Sequence, residues 1–247
     1  MGNFQSLAKC KVCYASERQS PLRILCYGDS NTAGFRPPRN VPPMVPWGVS
    51  LQRILREEGF DVEVEVNGNS GKTAEELFER RFESKIADIT GTINPGLQYR
   101  LDSMPNPPEL VIIMLGTNDF SYERTSAEVE KDVEALHEVC HESGIKTVAL
   151  AAIHVPTNEE NAVLNNLRHN LSGLARAMSV YDKSDDDVIG HMDPRGIVSR
   201  DAHLGLWEKD NMHWSEKGHV AFAEAVAPVI EDALTTLGHF PATDPIQ

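Results

Sequence analysis

From residue 22 onward, short apolar runs alternate with longer stretches whose apolar residues recur at helical spacing. The runs are LRILCYG (22–28), DVEVEV (61–66), ELVIIMLG (109–116), IKTVALAAI (145–153) and DDVIGHM (186–192). Runs of this length rich in Val, Ile and Leu read as strands, and the third, the most apolar, reads as a buried central strand. Between them, Thr125 and Glu128 form a capping box, after which Val129, Val133, Leu136 and Cys140 mark one helical face. Leu164, Leu167, Leu171, Leu174 and Met178 stripe a second helix, and Val220, Ala223, Val226 and Ile230 a last one, with Pro228 expected to kink it. Strands alternating with helices predict βαβ units on a parallel sheet.

Two stretches break this rhythm. Residues 35–48, FRPPRNVPPMVPWG, hold too many prolines for a regular element and should form an ordered loop over the C-terminal edge of the sheet. Residues 91–108 read as a second long connection. Open α/β sheets bind their ligands at that edge, so both loops are expected near a site.

The 247 residues suit one domain over 21–237, flanked by an unstructured tail at 1–20 and a short C-terminal tail at 238–247. A net charge of −14 without a basic patch argues against a nucleic-acid partner. No apolar run is long enough for a membrane span, and MGNFQSLAKCKVCY lacks a signal-peptide core, so an intracellular, cytoplasmic protein is expected. Gly2 and Ser6 do fit the M-G-x-x-x-[ST] acylation pattern, with Cys10 and Cys13 as further acylation sites, which would anchor the chain to a membrane in a eukaryotic source. Cys26 and Cys140 fall in apolar runs and read as buried core thiols.

Two motifs invite other chemistry. HEVCH (137–141) matches the H-E-x-x-H template of zinc hydrolases, with Glu159 or Glu160 at a plausible distance for a third ligand. With Leu136 facing the core, however, the helical wheel turns His137 about 100° away and His141 further toward water. GNSGKT (68–73) imitates a phosphate-binding loop, but the full pattern requires glycine where Val66 stands. Both are weaker signals than the motifs below, and in the leading reading neither metal nor cofactor is expected.

Three other stretches fit one machine. The first strand runs into Gly28-Asp29-Ser30-Asn31-Thr32, the third into Gly116-Thr117-Asn118-Asp119, and Asp210-Asn211-Met212-His213 precedes the last helix. In a parallel sheet all three reach the same edge. Serine ester hydrolysis needs a nucleophile, a base, a group that fixes the base's tautomer, and donors for the oxyanion. Ser30, His213 and Asp210 can fill the first three roles; Asn118, the N–H of Ser30 and the N–H of Gly68 can fill the last. No G-x-S-x-G elbow occurs. Asp29, Trp47, Phe120, His154 and Val155 are the expected pocket residues.

GDSNT, GTND and D-x-x-H, with the glycine of VNGNSGKT between them, resemble the SGNH (GDSL-type) hydrolases over roughly residues 22–236. LCYGDSNTAGF and LVIIMLGTNDF are most similar to the aryl-esterase and acyltransferase branch. The resemblance implies Ser30 as nucleophile, Gly68 and Asn118 as oxyanion donors, His213 as base and Asp210 as its orienter. Relatives commonly carry asparagine two residues before the second-block glycine, where this chain has Val66, and Asn31 replaces the leucine of the GDSL name. The expectation is a single three-layer α/β/α domain, flavodoxin-like, with a central parallel sheet of about five strands, hydrolysing short-acyl esters of small molecules. The alternatives are a zinc hydrolase built on HEVCH and a non-catalytic domain of the same fold that binds an acylated ligand.

Overall fold

A computed structural model describes residues 20–37, 44–153, 169, 170, 173, 187–194 and 197–242. The acylation pattern, Cys10 and Cys13, the leucine stripe of 164–178, Glu159, Glu160, His154 and Val155 lie outside the described residues.

The five apolar runs form one parallel sheet: β1 (Leu22–Gly28), β2 (Val62–Gly68), β5 (Leu110–Met114), β6 (Lys146–Leu150) and β7 (Val188–Met192), in the order β2-β1-β5-β6-β7. Between β2 and β5 lies a two-stranded hairpin, β3 (Ile86–Ala87) with β4 (Ile93–Asn94). The helices are α1 (Ser30–Ala33), α2 (Trp47–Glu57), α3 (Ala74–Glu79), α4 (Leu97–Ser103), α5 (Ser126–Glu142) and α6 (Glu216–Thr236).

The pleat sends alternate side chains of each strand to opposite faces. Ile24, Cys26, Ile112, Met114 and Val148 pack on one side against Leu51 and Leu55 of α2 and Phe222, Val226 and Ile230 of α6. Leu25, Tyr27, Val111, Ile113 and Ala149 pack on the other against Leu77 of α3, Leu97 and Leu101 of α4, and Val129, Val133, Leu136 and Cys140 of α5. The result is the expected three-layer α/β/α arrangement. Cys26 and Cys140 are free and buried. Among the described residues no helix is long and apolar enough to cross a membrane.

The connection expected over 91–108 instead holds β4 and α4. These elements are too short to show a period: α4 has only two buried apolar anchors, Leu97 and Leu101. The proline-rich stretch likewise ends earlier than expected, because Pro46 is the N-cap from which α2 starts at Trp47. The capping box of Thr125 and Glu128 is present, and α6 runs through Pro228 as one helix.

Candidate active site

The sheet order changes direction between β1 and β5, the switch point where an open parallel sheet leaves a crevice beyond its carboxyl ends. Gly28 of β1 lies opposite Met114 of β5, so the segments that follow both strands flank that crevice. One begins with Asp29 and Ser30, the other with Gly116, Thr117 and Asn118.

Asp29 N-caps α1, accepting a hydrogen bond from the Asn31 N–H at 3.0 Å. This places Ser30 at the first helical position, where the backbone N–H has no intrahelical partner. Gly34 closes α1 in the left-handed conformation (φ 74°), and Phe35 N–H returns to the Ser30 carbonyl at 2.9 Å. Burial pushes the Asp29 carboxyl up to about 7, with the charge of Asp119 adding to the rise, against the opposing Asn31 N–H.

His213 reaches this point from an irregular loop. Trp207 and Trp214 form an antiparallel bridge, Glu208 N–H donates to the His213 carbonyl at 2.9 Å, and the buried ring of Trp214 stacks on Phe222 at 4.4 Å. The Arg200 guanidinium lies 3.6 Å over the Trp207 ring and donates to the carbonyl of Asn211, which adopts a left-handed φ of 55°. Asp210 caps its own turn by accepting from the N–H groups of Met212 (3.0 Å) and His213 (3.1 Å). Its other oxygen lies 2.6 Å from His213 Nδ1, and His213 Nε2 lies 3.0 Å from Ser30 Oγ. Burial raises the Asp210 carboxyl, but the His213 ring and the two N–H donors outweigh it and hold the group below the usual carboxylate range. The His213 ring also meets Phe35 edge-on at 4.8 Å, a contact the sequence did not single out.

Asn118 donates one amide hydrogen to the Lys72 carbonyl at 2.9 Å, which ties it to the turn after β2. The following Asp119 is buried, accepting from Ala74 N–H at 2.9 Å and from Arg124 at 2.8 Å. The turn after β2 and the segment after β5 are therefore bonded to each other. Gly68, the expected donor from this turn, packs closely on α1. A Cβ there would lie 2.2 Å from the Ala33 nitrogen, so its missing side chain lets β2 approach α1. Gly71, three residues on, holds a left-handed φ of 76°, and its N–H makes no hydrogen bond among the described residues. Counted from Gly71, the asparagine two residues earlier is Asn69.

Two of the expected pocket residues lie in the core. Trp47 is fully buried and packs edge-on against Phe222, and Phe120 is nearly buried in the core beside α5.

HEVCH also differs from its expected orientation. His137 is fully buried, with Nδ1 2.8 Å from the Thr147 hydroxyl on β6, and His141 Nε2 is 3.0 Å from the same oxygen. The wheel turned His137 to solvent because an apolar count cannot see a polar partner in the adjoining strand. Among the described residues, no group of three or more His, Cys, Asp or Glu side chains is placed to hold a metal ion.

The model of the GDSL-like lipase/acylhydrolase family matches residues 26–221, a span that contains all three motifs. The chain belongs to this family. It is a carboxylic ester hydrolase, and as a GDSL-like hydrolase it takes small-molecule substrates. Comparison with curated proteins gives no match. Among solved structures, it is similar to a carbohydrate acetylesterase family member from Sinorhizobium meliloti, at TM-score 0.65 and 21% identity over 88% of this chain and 99% of that one. It is also similar to the psychrotrophic esterase EstA from Pseudoalteromonas, solved inhibited by monoethylphosphonate, at 0.60 and 17% over 86% and 98%. AlinE4, an SGNH-hydrolase family esterase, matches at 0.57 and 20% over 88% and 98%. These likenesses give the GDSL-like hydrolase its fold.

Proposed function

We propose that Ser30, His213 and Asp210 form the triad of a serine esterase that cleaves short-acyl esters, such as acetyl esters, through an acyl-serine intermediate. The observation that carries this reading is the continuous chain of contacts from Asp210 Oδ2 to His213 Nδ1 at 2.6 Å and from His213 Nε2 to Ser30 Oγ at 3.0 Å. Asp210, an ionised acceptor, keeps the ring proton on Nδ1 and leaves Nε2 free to accept the serine proton. Ser30 Oγ attacks the ester carbonyl as its proton passes to Nε2. The leaving alcohol takes that proton, and water then releases the acid by the same route in reverse.

The developing oxyanion is met by the Ser30 N–H and by the second amide hydrogen of Asn118. The third donor is the Gly71 N–H in preference to that of Gly68, because Gly71 is unpaired among the described residues and its turn is bonded to Asn118 through Lys72. The acetylesterase name of one structural neighbour supports a short acyl group.

The test is p-nitrophenyl acetate hydrolysis with and without EDTA, by wild type and Ser30→Ala. The expected result is a chelator-resistant wild type and an inactive variant. Activity that survives Ser30→Ala and disappears with EDTA would overturn the reading in favour of a metal-dependent hydrolase.

A further inference from the structure

The two halves of the catalytic pair rest on unequal supports. Ser30 is buried just past the end of a central strand, whereas His213 sits on residues 205–215, an irregular loop whose β-pairing among the described residues is the isolated Trp207–Trp214 bridge. Besides the edge-on contact of Phe35 with the His213 ring, an ion pair joins the two supports. Arg36 Nε lies 2.6 Å from Glu208 Oε1 across 172 residues of chain, with the two side chains only 30% and 17% exposed, and Arg36 Nη1 lies 3.9 Å from Glu216.

This pair closes a ring. Arg36 follows Phe35, whose N–H is bonded to the Ser30 carbonyl, and Glu208 donates its own N–H to the His213 carbonyl. The Ser30–His213 contact is the remaining side of the same ring. We propose that the Arg36–Glu208 ion pair is a latch that positions His213 against Ser30, with both residues acting through the catalytic pair and not on the substrate. An exposed ion pair would contribute little, but this one is mostly withdrawn from water and sets a distance on which proton transfer depends. A displacement near 1 Å can cost about 100-fold in rate. Asn211, clamped by Arg200, fixes the shape of the His213 turn, while Arg36 and Glu208 fix where that turn sits.

The kinetic arm of the test rests on the serine-esterase reading; a spectroscopic arm does not. Arg36→Met, Glu208→Gln and the exchanged pair Arg36→Glu/Glu208→Arg are compared with wild type. Each single variant should lose about 10- to 100-fold in kcat on p-nitrophenyl acetate, with KM within about threefold and the melting temperature retained. The exchanged pair should recover most of the loss. In protein labelled with 15N-histidine, the His213 ring shifts should move in the single variants and return toward wild type in the exchange. Wild-type kcat and unchanged ring shifts in both single variants would overturn the latch, as would a folded exchange variant no better than either. Full activity in Ser30→Ala would instead overturn the esterase reading, and the ring shifts would still decide the latch.

Discussion

One amide hydrogen of Asn118 holds the Lys72 carbonyl, and in the proposed mechanism the other meets the oxyanion. Asn118→Ala should therefore lower kcat by about 10²- to 10³-fold; an unchanged rate would remove it from the oxyanion hole. His219 makes a prediction about stability. It is fully buried on α6, edge-on to Trp214 at 5.5 Å, and neither ring nitrogen has a hydrogen-bond partner among the described residues. Burial, with smaller contributions from the nearby charges of His213 and Arg36, lowers its pKa to about 3. Below about pH 6.5 the unfolded chain binds a proton that the folded ring refuses, so stability is lost as pH falls from there toward 3. The loss attributable to this ring should reach roughly 2 kcal/mol by pH 5. Asp29, raised to about 7, shifts the balance the other way, but it is common to wild type and His219→Phe. Urea unfolding at pH 8 and pH 5 should show the smaller drop in His219→Phe; equal drops would contradict the assignment. Ser30, Asn118, Asp210 and His213 were legible because each lies in a short motif tied to a strand end or a helix start. His137 was misread as turned away from the core, and His219 gave no signal, since hydrophobic spacing says nothing about a buried ring held by Thr147 or enclosed by aromatics.

The strands were legible as elements because a sheet covered on both faces needs near-continuous apolar runs. Their ends were less so: Leu115 and Ala151, Ala152 and Ile153 are buried beyond the last paired residues, so the apolar runs outlast the ladders. The segment between β2 and β5 was opaque because α3, the hairpin and α4 each bury only one or two apolar side chains and are held instead by polar contacts, such as Ser70 N–H to Asp88. Gly68 illustrates how tightly the legible elements meet. Its Cα packs on the backbone of α1, the helix that carries Ser30. Gly68→Ala must push β2 and α1 apart, which should destabilise the protein by about 1–3 kcal/mol and lower activity as well. A variant with wild-type unfolding midpoint and kcat would show that α1 does not need this contact.

Across the whole molecule, the order β2-β1-β5-β6-β7 places one crevice at the β1–β5 switch point, and three segments far apart in sequence converge there. That convergence was implied by parallel strands ending in motifs. The contact between Ser30 and His213 was not, because it depends on a loop with no periodicity of its own. The same geometry makes Ser30 the one serine with a base aligned on its oxygen among the described residues. The most direct test of the account is to treat the protein with a p-nitrophenyl alkylphosphonate and map the adduct by peptide mass spectrometry. The account predicts one phosphonyl group per chain on Ser30, none in His213→Ala over the same time, and loss of esterase activity in proportion to labelling. Inactivation with the label on another residue, or full labelling of Ser30 without loss of activity, would contradict it.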